Sequence, residues 1–115
     1  MKRVYVAGPY DDDNVISVLN NIRRSIETAA YLMREGFAVY CPFLDFQIAL
    51  TSSGPTLRKQ DYQRNSMAFV ETCDFILVLS KWEDSGGTKR EIARAEELQI
   101  PVYYSIYDFH AGVTP

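Results

Sequence analysis

Cys73-Asp74-Phe75-Ile76-Leu77-Val78-Leu79, followed by Ser85-Gly86-Gly87-Thr88-Lys89-Arg90-Glu91, sets an apolar run, a turn of small residues and the opening of a helix one after another. An apolar run this continuous suits a parallel strand covered on both faces. Small residues at a strand-to-helix turn let a ligand approach bare backbone, and the helix N-terminus offers free N–H groups to an anion. Glu91, one turn in, would face the same crevice. The same four residues also admit a local reading, since Thr88-x-x-Glu91 matches a capping box in which hydroxyl and carboxylate satisfy each other's backbone N–H groups.

Working outward, the spacing places helical and strand patterns in alternation. Arg3 to Gly8 is a short β-rich run that meets Gly8-Pro9, a strand ended by a turn. After Asp11-Asp12-Asp13-Asn14, which supply N-caps, apolar residues recur at Val15, Leu19, Ile22, Ile26, Ala29, Ala30 and Met33 up to Gly36, a helical stripe. Phe37 to Tyr40 reads as a second strand ended by Pro42, and Phe43 to Pro55 as a loop with Thr51 to Gly54 as its flexible part. A second helix is expected from Leu57 to Glu71, a third from Thr88 to Leu98, and a fourth strand at Ile100 to Tyr104. The tail from Ser105 to Pro115 is apolar enough to dock on the body or on a neighbouring copy.

This order, strand and helix by turns, predicts an α/β fold: a Rossmann-like, flavodoxin-like three-layer sandwich with a mainly parallel sheet of four to five strands. With 115 residues, residues 1–115 are read as one domain. The formal net charge of -3 gives no basic field for a nucleic-acid polymer, so a small-molecule partner is expected. Cys41 and Cys73 stand in no zinc-type spacing and read as small buried hydrophobes, and no metal site or cofactor is expected. The N-terminus lacks a signal-peptide pattern and no run reaches membrane-spanning length, so a cytoplasmic protein without membrane partners is expected.

Topology brings several polar features to the carboxyl edge of this sheet: Tyr5 with Gly8 and Pro9, Pro42 to Asp45, Asp84 and Ser85 to Glu91, and Tyr103 to Tyr107. Asp61 on the preceding helix could lean over the same crevice or remain a solvated helix residue. Tyr5 is either strand packing or the partner of a carboxylate such as Glu91. Asp11 to Asp13 form either a solvated capping loop or a cation site, the loop being the simpler reading.

Val4-Tyr5-Val6-Ala7-Gly8-Pro9, Asp61 ahead of Cys73-Asp74, and Ser85-Gly86-Gly87-x-x-x-Glu91 before an Ala-rich helix and Ile100-Pro101-Val102 resemble the nucleoside 2-deoxyribosyltransferase superfamily. The similarity is strongest to its short bacterial and phage members and extends to the related nucleoside 5′-monophosphate N-glycosidases. It implies that Glu91 attacks C1′ of a ribosyl or deoxyribosyl group and that Tyr5 orients it. Asp61 would contact the sugar or protonate the departing base, a general-acid task requiring a raised pKa. Asp84 would share that task. Ser85, Gly86 and Gly87 would cradle a 5′-phosphate, beside Gly8 and Pro9, and a homo-oligomer, dimer or tetramer, is implied. The chain is shorter than the transferases, and Asp84 stands seven residues before Glu91, one more than the family aspartate. Gly86-Gly87-Thr88-x-x-Glu91 is also similar to the phosphoribohydrolase signature PGGxGTxxE, with one residue and the proline missing. A nucleotide-binding or signalling module without catalysis is the reading from another class.

Overall fold

The computed structural model describes residues 1–42, 44–51 and 57–115. Strands β1 (Arg3–Ala7), β2 (Ala38–Tyr40), β3 (Phe75–Val78) and β4 (Val102–Tyr103) form one parallel sheet in the order β2-β1-β3-β4. Helices α1 (Val15–Arg34), α2 (Leu44–Thr51), α3 (Lys59–Val70), α4 (Gly86–Glu97) and α5 (Ile106–Gly112) accompany it. The register sets Tyr5 opposite Tyr40 on one side and Ile76 on the other.

Alternation along the strands separates two cores. Val4, Val6 and Leu77 point to a layer holding Ala29 and Leu32 of α1 and Phe109 of α5. Tyr5, Ala7, Ile76 and Val78 point the other way, against Val70 of α3 and Ile92 and Ala95 of α4. Cys41 is buried in the first core and Cys73 in the second. The expected three-layer sandwich is therefore present, with four parallel strands. No described helix is long and apolar enough to cross a membrane.

Three elements differ from the sequence reading. Part of the expected loop Phe43 to Pro55 is helical, as α2; positions 43 and 52–56 lie outside the described residues. The apolar residues of that stretch fall all round a helix, so no 3.6-residue period marked it. Helix α4 begins at Gly86, two residues early, because the Ser85 hydroxyl caps it by accepting from the Thr88 N–H at 3.2 Å. The tail docks on the body, one of the two placements expected for it, and differs only in being helical: Phe109 is fully buried, its ring 5.2 Å from that of Phe37 and 5.5 Å from that of Tyr103.

Helix α1 also turns a different face inward. Its buried residues are Ser25, Ala29 and Leu32, while Val15, Leu19, Ile26 and Met33 of the expected stripe are exposed. Twenty residues rise about 30 Å, nearly twice the length of a five-residue strand. The small Ser25 and Ala29 allow the C-terminal half to lie close on the sheet, and the N-terminal half runs past its edge. Gly36, with φ +100°, ends α1 in the left-handed conformation that glycine adopts readily.

In the order β2-β1-β3-β4 the chain adds β2 on one side of β1 and then β3 on the other, and open α/β sheets leave their crevice at such a switch. Gly8 closes the base of that crevice. A Cβ at Gly8 would stand 2.9 Å from Cβ of Leu79, so the Leu79 side chain leaves no room for one at position 8.

Candidate active site

A cleft of about 1330 Å³ opens at the carboxyl edge, above the β1–β3 boundary. Glu91 lines it, and Tyr5 lies buried behind Glu91. Tyr5, fully buried on β1, donates its hydroxyl to Glu91 Oε2, and Ser66 of α3 also hydrogen-bonds the tyrosine. Burial raises the Glu91 carboxyl from 4.5 to about 7; the Tyr5 hydrogen bond opposes this, and the nearby Asp45 charge adds to it. Burial, and then the facing Glu91 charge, hold the Tyr5 phenol well above its usual value, so at neutral pH it is a donor. Near pH 7 the carboxylate and carboxylic acid forms of Glu91 coexist.

The capping-box reading of Thr88 and Glu91 does not describe this helix. Ser85 is the N-cap, Thr88 is the third helical residue with its own hydroxyl on Ser85 Oγ at 2.9 Å, and Glu91 lies in the second turn. Its carboxylate lines the cleft and meets Tyr5, 86 positions away in sequence.

Gly8, Pro9, Asp84, Ser85, Gly86 and Gly87 all line the cleft with Glu91. The Arg90 guanidinium lies over the two glycines, with Nη1 3.5 Å from where a Gly86 Cβ would be. Asp11, Asp12 and Asp13 line the mouth, and the loop is a capping turn: Asn14 Oδ1 accepts from the Ile16 N–H at 2.8 Å, and Asp12 Oδ1 accepts from the Asn14 N–H at 2.9 Å. Because the N-terminal half of α1 overhangs the sheet, Ser17, Asn21 and Arg24 reach the cleft as well. Arg24 donates to Ser80 Oγ at 2.7 Å, which ties α1 to the end of β3.

Two expected contributors are placed elsewhere. Asp61 is the first-turn acid of its own helix: it accepts from the Arg58 N–H at 2.8 Å and pairs with Arg64, and it is absent from the cleft lining. The Arg58 backbone bond and then Arg64 lower its pKa, the opposite of what a general acid needs. Tyr103 turns into the α1–α5 core against Phe109, so its region of β4 does not reach the crevice.

Conversely, two residues have no role of their own in the sequence reading. The Tyr40 ring stacks on Tyr5 at 5.6 Å and on Phe69 at 4.1 Å, and its hydroxyl accepts from Asn65 at 3.2 Å, which braces the buried tyrosine from the β2 side. Asp45, in the first turn of α2, lines the cleft, and burial raises its carboxyl from 3.8 to about 6. Only position after a strand hinted at Asp45, because α2 carries no periodic signal.

A protein-family model described as Domain of unknown function (DUF4406) matches residues 2–104. The chain belongs to that family. No curated protein matches this DUF4406 chain. Among solved structures, it is similar to a 2-deoxyribosyltransferase from the psychrotolerant bacterium Bacillus psychrosaccharolyticus, at TM-score 0.60 and 16% identity over 87% of this chain and 69% of that one. A conserved protein from Enterococcus faecalis V583 superposes at TM-score 0.70 and 18% identity, over 89% and 61%. A 2-deoxyribosyltransferase from Leishmania mexicana gives TM-score 0.62 and 19% identity, over 89% and 62%. The DUF4406 chain thus spans 61–69% of the length of these three and shares the fold of two deoxyribosyltransferases.

Proposed function

We propose that residues 1–115 form one nucleoside 2-deoxyribosyltransferase-like domain that cleaves or exchanges the N-glycosidic bond of a (deoxy)nucleoside or nucleoside 5′-monophosphate, with Glu91 as nucleophile. The observation that carries this reading is the Glu91 carboxylate lining the crevice while held from behind by the buried Tyr5 hydroxyl. Departure of a base from C1′ leaves an oxocarbenium-like centre, which a carboxylate beneath it stabilises and traps as a glycosyl ester. Tyr5 fixes which oxygen is free to attack and favours the ionised form by donating to it. Water or a second base then displaces the ester.

A 5′-phosphate is supported by a separate set of groups. Ser85, Gly86 and Gly87 open α4, where N–H groups and the helix dipole favour an anion. Arg23, Arg24, Lys81 and Arg90 line the same cleft and offset the three aspartates at its mouth.

The test is a panel of nucleosides, deoxynucleosides and 5′-monophosphates, incubated with and without an acceptor base and resolved by chromatography. Glu91→Ala is expected to abolish base release while leaving circular dichroism unchanged, and mass spectrometry to find a glycosyl adduct on Glu91 of the wild type. Binding without base release would support a nucleotide sensor, and retention of most activity by Glu91→Ala would remove the nucleophile.

A further inference from the structure

We infer that Asp45, and not Asp61, is the side chain that protonates the departing base. The assignment rests on the glycosidic reading of the cleft and concerns its second carboxyl. Glycosidic cleavage of this kind divides the work between one carboxylate that attacks the anomeric carbon and one acid that protonates the leaving group. The two must approach the bond from different sides.

Asp45 meets that requirement by its place in the fold. Strand β1 lies between β2 and β3, so the elements that follow β2 and β3 flank its carboxyl end. Helix α2 follows β2 and brings Asp45 to the cleft within its first turn, and α4 follows β3 and brings Glu91. Asp45 lies near enough for its charge to act on both Glu91 and Tyr40. Charged and titratable groups on the surrounding elements are Tyr40 on β2, Lys59 and Tyr62 on α3, Arg90 and Glu91 on α4, Lys81, Glu83 and Asp84 between β3 and α4, Arg23 and Arg24 on α1, and Tyr10 and Asp11 to Asp13 before α1. Asp45 lines the cleft from the β2 side while Glu91 enters it from the β3 side, and burial raises the Asp45 carboxyl from 3.8 to about 6, toward the range in which it can give up a proton to a leaving group. Asp61 has neither property: Arg58 and Arg64 hold it ionised at the start of α3.

In the step itself, a Glu91 oxygen forms a bond to C1′ while the C1′–N bond breaks and its electron pair passes to the base. The Asp45 proton neutralises that nitrogen heterocycle. When water attacks the glycosyl ester, its oxygen bonds to C1′, the Glu91 carboxylate leaves, and the proton of the water returns to Asp45. Substrate plus water gives free sugar and neutral base, with both carboxyl groups restored.

The experiment compares base release from a substrate that the wild type cleaves with release from the same substrate methylated at the ring nitrogen, N7 in a purine, so that the leaving group already carries its positive charge. Asp45→Asn is expected to lower kcat/KM on the neutral substrate by about 10²- to 10⁴-fold. On the methylated substrate it is expected to run close to the wild-type rate, a split that loss of structure does not produce. Equal loss on both substrates, or loss on neither, overturns the assignment, as does the same split appearing in Asp61→Asn instead. A wild type that releases no base from any member of the panel removes the glycosidic reading, and this assignment with it.

Discussion

The Tyr5 hydroxyl, on an inner strand of the sheet, donates to the carboxylate of Glu91 in the second turn of α4. Tyr5 has no exposure to solvent, and Tyr40 covers one face of its ring. The donor is thus fixed by the most rigid part of the fold, and it is the strongest influence opposing the burial that raises Glu91.

Tyr5→Phe removes that opposition. The Glu91 carboxyl is expected to rise further above about 7, and the acidic limb of base release to move to higher pH, with a lower rate at neutrality. A pH–rate profile of wild type and variant checks this, and superimposable profiles would contradict it.

Folding stability should fall as pH rises through the same region. Glu91 titrates near 4.5 when unfolded and at about 7 when folded, so the native chain binds more protons between those values. Stability is then greatest below about pH 4.5 for this group and is lost by pH 7, an effect of roughly 3 kcal/mol at 1.36 kcal/mol per pH unit. Asp45 acts in the same direction, because burial raises its pKa as well. Glu91→Gln should flatten the dependence of thermal unfolding on pH and be more stable than wild type at pH 8. An unchanged slope would show that the carboxyl is not buried as described.

Ser85→Ala should act on stability and substrate separately. Losing the hydroxyl that caps α4 is expected to cost about 1 kcal/mol in chemical denaturation. If a 5′-phosphate sits at this helix end, the variant also raises KM for a monophosphate more than for the corresponding nucleoside. Parallel changes for both substrates would place the phosphate elsewhere.

Phe109→Ala is expected to destabilise the fold by about 3–5 kcal/mol, since the ring is fully buried among Phe37, Phe75 and Tyr103. Equilibrium unfolding measures the loss, and limited proteolysis should show cleavage between β4 and the C-terminus. A loss below about 1 kcal/mol would mean that α5 rests on the body without anchoring it.

What the sequence disclosed followed from local pattern. Apolar runs such as Phe75 to Val78 and the Gly-rich turn before α4 located the strands and the crevice, and the offset between Tyr5 and Glu91 let their meeting be anticipated from topology. Where several local solutions competed, pattern was insufficient. The inward face of α1 was decided by the small Ser25 and Ala29 against the sheet, although Val15, Leu19, Ile26 and Met33 form the more apolar stripe. Asp61 and Asp45 are both acids in a first helical turn, and the neighbouring Arg58 and Arg64 decided which is held by its own helix.

The contact between Gly8 and Leu79 has an evolutionary implication. At the bottom of the crevice the Gly8 main chain lies against the Leu79 side chain with no space for a Cβ at position 8, so descendants of this chain cannot recut it by adding a side chain to Gly8. New substrates must come from altered walls, Asp45 on α2 and Tyr62 on α3 among them, while Tyr5 and Glu91 stay where the sheet and α4 hold them. Under the proposed function, bond-breaking and choice of base would in this way diverge at different speeds within a single small protein.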